Sequence, residues 1–141
     1  MKTRKVFILL MLATLVISTS ACSSISSLFS TTPTTSNFYM ATDKTGTTHT
    51  TSYGTSADFF VFFDVSNIPT GTAFQAKWYV LNVAGQNPSV PFQTTDYTYP
   101  TGTTTVFMGV TNDAGDWPTG NYKVEIYMNS AKVGELTFSV K

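Results

Sequence analysis

His49 is the single histidine of this 141-residue chain and Cys22 its single cysteine. Chemistry that needs a nucleophile, a base and an orienting partner therefore has few residues to draw on. His49 lies in Asp43-Lys44-Thr45-Gly46-Thr47-Thr48-His49-Thr50, a polar, hairpin-like stretch with no companion motif, and reads as an exposed strand or loop residue. Transition-metal sites lack their usual His and Cys ligands. Asp58 and Asp64 stand six apart in one strand pattern, on the same face but about 20 Å apart at strand rise, too far to share acid and base work. The other acids are scattered among turns, so the sequence reads as a non-enzyme with no catalytic residues and no cofactor. One loop has another chemistry: in Thr111-Asn112-Asp113-Ala114-Gly115-Asp116, Asn112, Asp113 and Asp116 offer oxygen ligands around a glycine, a composition that suits calcium. It lacks the spacing and closing glutamate of an EF-hand loop, and the same residues also make a polar Asx turn.

The remaining candidates are aromatic. Tyr79, Tyr97, Tyr99 and Tyr127, with Phe92, are more rings than one small core readily houses, and exposed tyrosines make platforms for sugars or partner proteins. If several share one sheet face, that face is an interface; otherwise they form a second apolar layer.

The N-terminus reads as an export signal. Lys2, Arg4 and Lys5 form a basic start, Val6 to Ile17 an apolar run and Ser18 to Ala21 a small-residue end, the pattern of a secretory signal peptide over residues 1–21. The apolar run is shorter than the roughly 20 residues of a membrane-spanning helix. A lone thiol in an oxidising compartment has no intramolecular disulfide partner.

Thr19-Ser20-Ala21-Cys22 resembles a bacterial lipobox through Ala21, Ser20 and Cys22; Thr19 replaces the usual bulky aliphatic residue. The resemblance implies a diacylglyceryl group on the Cys22 sulfur and cleavage before it, which explains both the presence and the solitude of the cysteine. It also implies a place in the cell envelope, lipid-anchored outside the cytoplasm, with the non-acidic Ser23 directing the protein to the outer membrane if the organism has one. Residues 22–36 are rich in Ser and Thr and read as a flexible tether, broken only by Ile25, Leu28 and Phe29. From Cys22 onward the chain keeps eight acids, five lysines and no arginine, a balance that argues against nucleic-acid binding.

From Asn37 to Lys141 short apolar segments alternate in twos between Gly, Pro, Asn and Asp, with no helical period, predicting an all-β domain. In 59–65 the core face carries Phe59, Val61, Phe63 and Val65, with Phe60, Phe62 and Asp64 opposite. Residues 73–83 bring Phe74, Ala76, Trp78 and Val80 together, with Trp78 mid-core. The stretch 103–110 aligns Val106, Met108 and Val110. Tyr122, Val124, Ile126 and Met128 alternate with polar residues, as do Leu136, Phe138 and Val140, around a hairpin at 129–134. Further strands are expected at 38–42, 48–53 and 90–99, making seven or eight in an antiparallel two-sheet sandwich.

Trp78 within a strand, the turn Trp117-Pro118-Thr119-Gly120-Asn121-Tyr122 and the closing Phe138-Ser139-Val140 resemble immunoglobulin-like modules of bacterial surface and periplasmic proteins, in particular small lipoproteins with a W-P-x-G-x-Y turn before a final hairpin. The inter-sheet cysteine pair of antibody domains is absent. The turn also resembles a tyrosine corner, in which the Tyr122 ring is buried while its hydroxyl reaches back to the loop. The expected function is a membrane-anchored, non-enzymatic binding or scaffolding module for another envelope protein; the alternative is a carbohydrate-binding surface module assisted by calcium.

Overall fold

The computed structural model describes residues 31–113 and 115–141. Cys22, the signal segment and the tether up to Ser30 lie outside the described residues, as does Ala114. The described chain is all-β, with eight strands: β1 Thr34–Ala41, β2 Ser52–Tyr53, β3 Phe59–Ser66, β4 Ala73–Val80, β5 Gln93–Thr98, β6 Thr105–Val110, β7 Gly120–Met128 and β8 Ala131–Val140. They form a three-stranded sheet, β1-β3-β6, and a five-stranded sheet, β2-β8-β7-β4-β5.

The period-two pattern sets which side chains enter the space between the sheets. Phe59, Val61, Phe63 and Val65 of β3, Val106, Met108 and Val110 of β6, Phe74, Ala76 and Trp78 of β4, and Tyr122, Val124 and Ile126 of β7 make one buried cluster. Trp78 is fully buried, as the sequence predicts. Its indole N–H donates to the Thr95 hydroxyl at 3.3 Å, satisfying a polar atom that would otherwise destabilise the core.

The ends of the sandwich are closed by tyrosines. The Tyr122 hydroxyl donates to the Pro118 carbonyl at 2.6 Å, so the predicted corner forms. Tyr99 repeats the device four residues before Thr103, whose carbonyl accepts its hydroxyl at 2.7 Å. The β7–β8 hairpin turns through Asn129 and Ser130, both at positive φ, the backbone that matches strand twist in a two-residue turn.

Three expectations are corrected. β2 pairs with β8 in parallel, whereas antiparallel pairing was expected throughout; two residues carry too little pattern to reveal direction. The strand expected over 48–53 shrinks to Ser52–Tyr53 plus a lone bridge between Ala41 and His49, because the chain from Asp43 to Thr48 is held in a tight loop. β1 begins at Thr34, inside the stretch read as tether, and accommodates polar Asn37 at positive φ in a bulge between Ser36 and Tyr39.

Candidate functional surface

The residues singled out from sequence do not converge. Tyr97 lies opposite Phe74 on β4 and leans on the core, while Tyr99 is only 6% exposed. Tyr79 and Tyr127 sit on the outer face of the five-stranded sheet, yet Tyr79 is 8% exposed. The Lys123 ammonium lies 4.8 Å from the Tyr79 ring centre, and Lys77 lies 4.6 Å from that of Tyr127. Cations seated on both rings occupy the faces a sugar would stack on. Phe92 packs against Trp117 and Tyr122. The four tyrosines are thus split between two faces and do not form one platform.

Lys123, Lys132 and Tyr127 converge on Glu125, with contacts of 2.8, 3.1 and 2.7 Å to its carboxylate oxygens. Desolvation by itself raises the Glu125 pKa, but hydrogen bonds from Lys123, Tyr127 and Lys132 outweigh it and hold the group at about 2. Tyr127 is correspondingly pushed up to about 12, first by its hydrogen bond to Glu125. A depressed carboxylate pKa stabilises the fold above the unfolded value of 4.5, and that stabilisation fades as pH falls toward 2. We expect acid denaturation curves to lose stability across that window, and Glu125→Gln to flatten the loss. An unchanged acid limb in the variant would contradict this assignment.

The loop 111–116, the candidate for calcium, is tied into the domain by hydrogen bonds. The Asn112 backbone N–H donates to Asp58 Oδ1 at 2.9 Å and its side-chain amide to the Thr55 carbonyl at 3.0 Å; Asp113 accepts from the Thr111 hydroxyl at 2.9 Å. Among the described residues no three His, Cys, Asp or Glu side chains come together as a metal-binding group. Asp64 accepts from Asn37 and Thr105 at 3.0 and 2.9 Å. Asp58 and Asp64 are therefore both committed to tying strands and loops.

The feature that sequence reasoning missed is the outer face of the three-stranded sheet. Ala41, Phe60 and Phe62 are buried there in a second cluster, with Tyr39 packed against it. Rings continue across the strands: His49 stacks on Tyr39 at 4.1 Å, Tyr39 on Phe62 at 5.1 Å, and Phe62 on Phe107 at 5.5 Å, with Phe60 edge-on to Phe107 at 6.4 Å. Two glycines permit this layer. Gly46 lies close to the Tyr39 hydroxyl and the Phe62 ring, and Gly109 lies close to Phe60, where a β-carbon would collide. The loop carrying Gly46 is shaped by Asp43, which accepts from the Thr45 hydroxyl and the backbone N–H groups of Thr45, Thr47 and Thr48. Those bonds, that from the Thr45 hydroxyl foremost, hold the Asp43 carboxyl well below the usual carboxylate range.

The strip ends in Phe107, 45% exposed on β6, while His49 is exposed at its other margin. Beside it Phe38, Tyr39, Met40, His49, Thr50, Thr51 and Leu136 line an open groove of about 350 Å³. The sequence signal for the strip is the large aromatic on the off-core face of each strand: Tyr39 beside Met40, Phe60 and Phe62 between core residues, and Phe107 between Val106 and Met108.

The described strands form two sheets, β1-β3-β6 and β2-β8-β7-β4-β5, that pack on one core, the architecture of a β-sandwich. An immunoglobulin-like protein from Pseudomonas aeruginosa matches with a TM-score of 0.54 at 11% identity, over 77% of this chain and 97% of that one. The fold is immunoglobulin-like. An alkylpurine DNA glycosylase from Pseudomonas fluorescens bound to DNA matches over 77% of this chain and 30% of its own, at 8% identity and a TM-score of 0.49. A β-glucosidase from Listeria innocua in complex with glucose matches over 74% of this chain and 16% of its own, at 14% identity and a TM-score of 0.46. No family model matches the chain, and no curated protein matches it. An immunoglobulin-like sandwich serves many functions.

Proposed function

We propose that the chain is a lipid-anchored envelope protein whose immunoglobulin-like domain acts as a non-enzymatic binding module, with the aromatic strip on the three-stranded sheet as its contact surface for a partner protein. The observation that carries this reading is a second aromatic layer outside the core, leading to Phe107 at 45% exposure. Phe60 and Phe62 are covered by the chain's own residues, so what the layer offers a partner is its exposed margin, Phe107 and His49, and aromatic anchors of this kind dominate protein interfaces. The anchor part rests on the lipobox-like Ser20-Ala21-Cys22, and confinement to a membrane raises the effective concentration of any neighbouring partner. The carbohydrate reading loses support from the burial of Tyr79 and Tyr99 and the lysines seated over Tyr79 and Tyr127.

A photoreactive amino acid placed at Phe107, and separately at exposed Thr137 on the outer face of the other sheet, tests the surface in intact cells. We expect from position 107 a discrete adduct with a second protein, distinct in mass from two linked copies of this chain, and none from 137, with Cys22→Ala moving the protein out of the membrane fraction and reducing the adduct. Equal labelling from both positions, or none from 107, would count against this surface.

A further inference from the structure

The edges of the two sheets are treated unequally. β2 is two residues long, β1 is bulged at Asn37, and β5 is polar and carries Asp96; short length, bulges and charge are the usual protections of an exposed edge. β6 has none of them: Thr105-Val106-Phe107-Met108-Gly109-Val110 contains no charge, proline or bulge, and no charged residue occurs between Asp96 and Asp113.

The hydrogen-bond phase of β6 identifies its free groups. The Val65 N–H donates to the Thr104 carbonyl at 2.8 Å, and the ladder continues with Asp64 opposite Thr105 and Phe59 opposite Val110. Antiparallel pairs alternate, so Val106, Met108 and Val110 turn their backbone groups toward β3, while Thr105, Phe107 and Gly109 turn theirs away. Among the described residues no other strand pairs with β6, and no backbone bond from a turn or loop reaches those three residues.

We infer that this free edge pairs with the same edge of a second copy, antiparallel and centred on Phe107, joining the two three-stranded sheets into one. In that register Phe107 faces Phe107, and Thr105 of each copy faces Gly109 of the other. All three edge residues are then hydrogen-bonded pairs, each exchanging two bonds. A shift by two residues leaves Thr105 opposite Thr111, beyond the end of the strand, and a shift by one sets core-facing side chains against outer ones. An uncharged edge meets its own copy without repulsion, and the two half-exposed Phe107 rings become a cross-strand aromatic pair on the outer face. The two aromatic strips become continuous across the twofold axis.

Sedimentation of the mature chain, purified from membranes in density-matched detergent, tests this. We expect the mass to double with concentration. Phe107→Lys and Phe107→Asp, each placing like charges across the twofold axis, should each weaken association by at least about tenfold, and mixing the two variants should restore it. Thr105→Lys, at an exposed position on the same edge, should weaken it as well and serves if the Phe107 variants fail to fold. A chain that stays a single copy at every concentration overturns the inference, as does association that persists in the charged variants or is not restored by mixing. A single-copy protein that still gives the adduct from position 107 overturns self-pairing alone and leaves the partner reading standing.

Discussion

Replacing Phe59 with alanine is expected to cost about 3–5 kcal/mol of unfolding free energy, the range for removing a fully buried phenylalanine. Phe59 has no exposed surface and joins the aromatic rings at one end of the sandwich. Its ring centre lies 4.8 Å from Phe138, 4.9 Å from Tyr53, 5.0 Å from Trp117 and 5.8 Å from Tyr122. Those neighbours are themselves fixed: Tyr53 donates to the Ala41 carbonyl at 3.0 Å, Trp117 to the Ala57 carbonyl at 2.8 Å and Tyr122 to Pro118. Rings tied by their polar ends cannot collapse into the space left, so the cavity term should be near its full size. Urea denaturation of the two forms measures the difference. A loss below about 1 kcal/mol would mean that these rings do not meet as described.

Gly109→Ala is the second large effect, and it tests the outer layer independently of the core. A β-carbon at Gly109 would strike the Phe60 ring and come within 2.9 Å of the Phe59 carbonyl oxygen. Gly109 has no positive φ, so the barrier is steric and not conformational. Alanine ordinarily stabilises at such a backbone by restricting the unfolded chain; here overpacking should reverse the sign, with a net loss of about 1–3 kcal/mol. Phe60→Leu in the same chain should recover part of that loss, giving a coupling of about 0.5–3 kcal/mol in a double-mutant cycle. Additive single effects would show that Phe60 does not lie over Gly109.

The core was legible because its strands obey one rule. Alternation in β3, β4, β7 and β8 assigns the inner faces, and Trp78 and Tyr122 fall where their size and polar ends require. The same rule fails on the other side of β3: it gives Phe60 and Phe62 to the outer face, which is correct, but carries no information about what covers them. That cover comes from residues distant in sequence: Gly46 in a loop folded by Asp43, and Phe107 and Gly109 on a strand 40 to 50 positions away. The tyrosines misled for a related reason. Tyr79 and Tyr127 do lie on an outer face, but a lysine from a neighbouring strand reaches over each ring, a pairing set by the β4–β7 register. Cys22 was read only through the resemblance of its flanking residues to a lipobox, and it lies outside the described residues.

The placement of β1 has a mechanical consequence. The chain enters the domain at Thr34 and runs along β3 to Ala41, so a pull on the preceding segment, directed along the strand axis, loads the β1–β3 hydrogen bonds together in shear. They are not opened one at a time like a zip. Resistance to such a force is thus spread over the length of the strand pair.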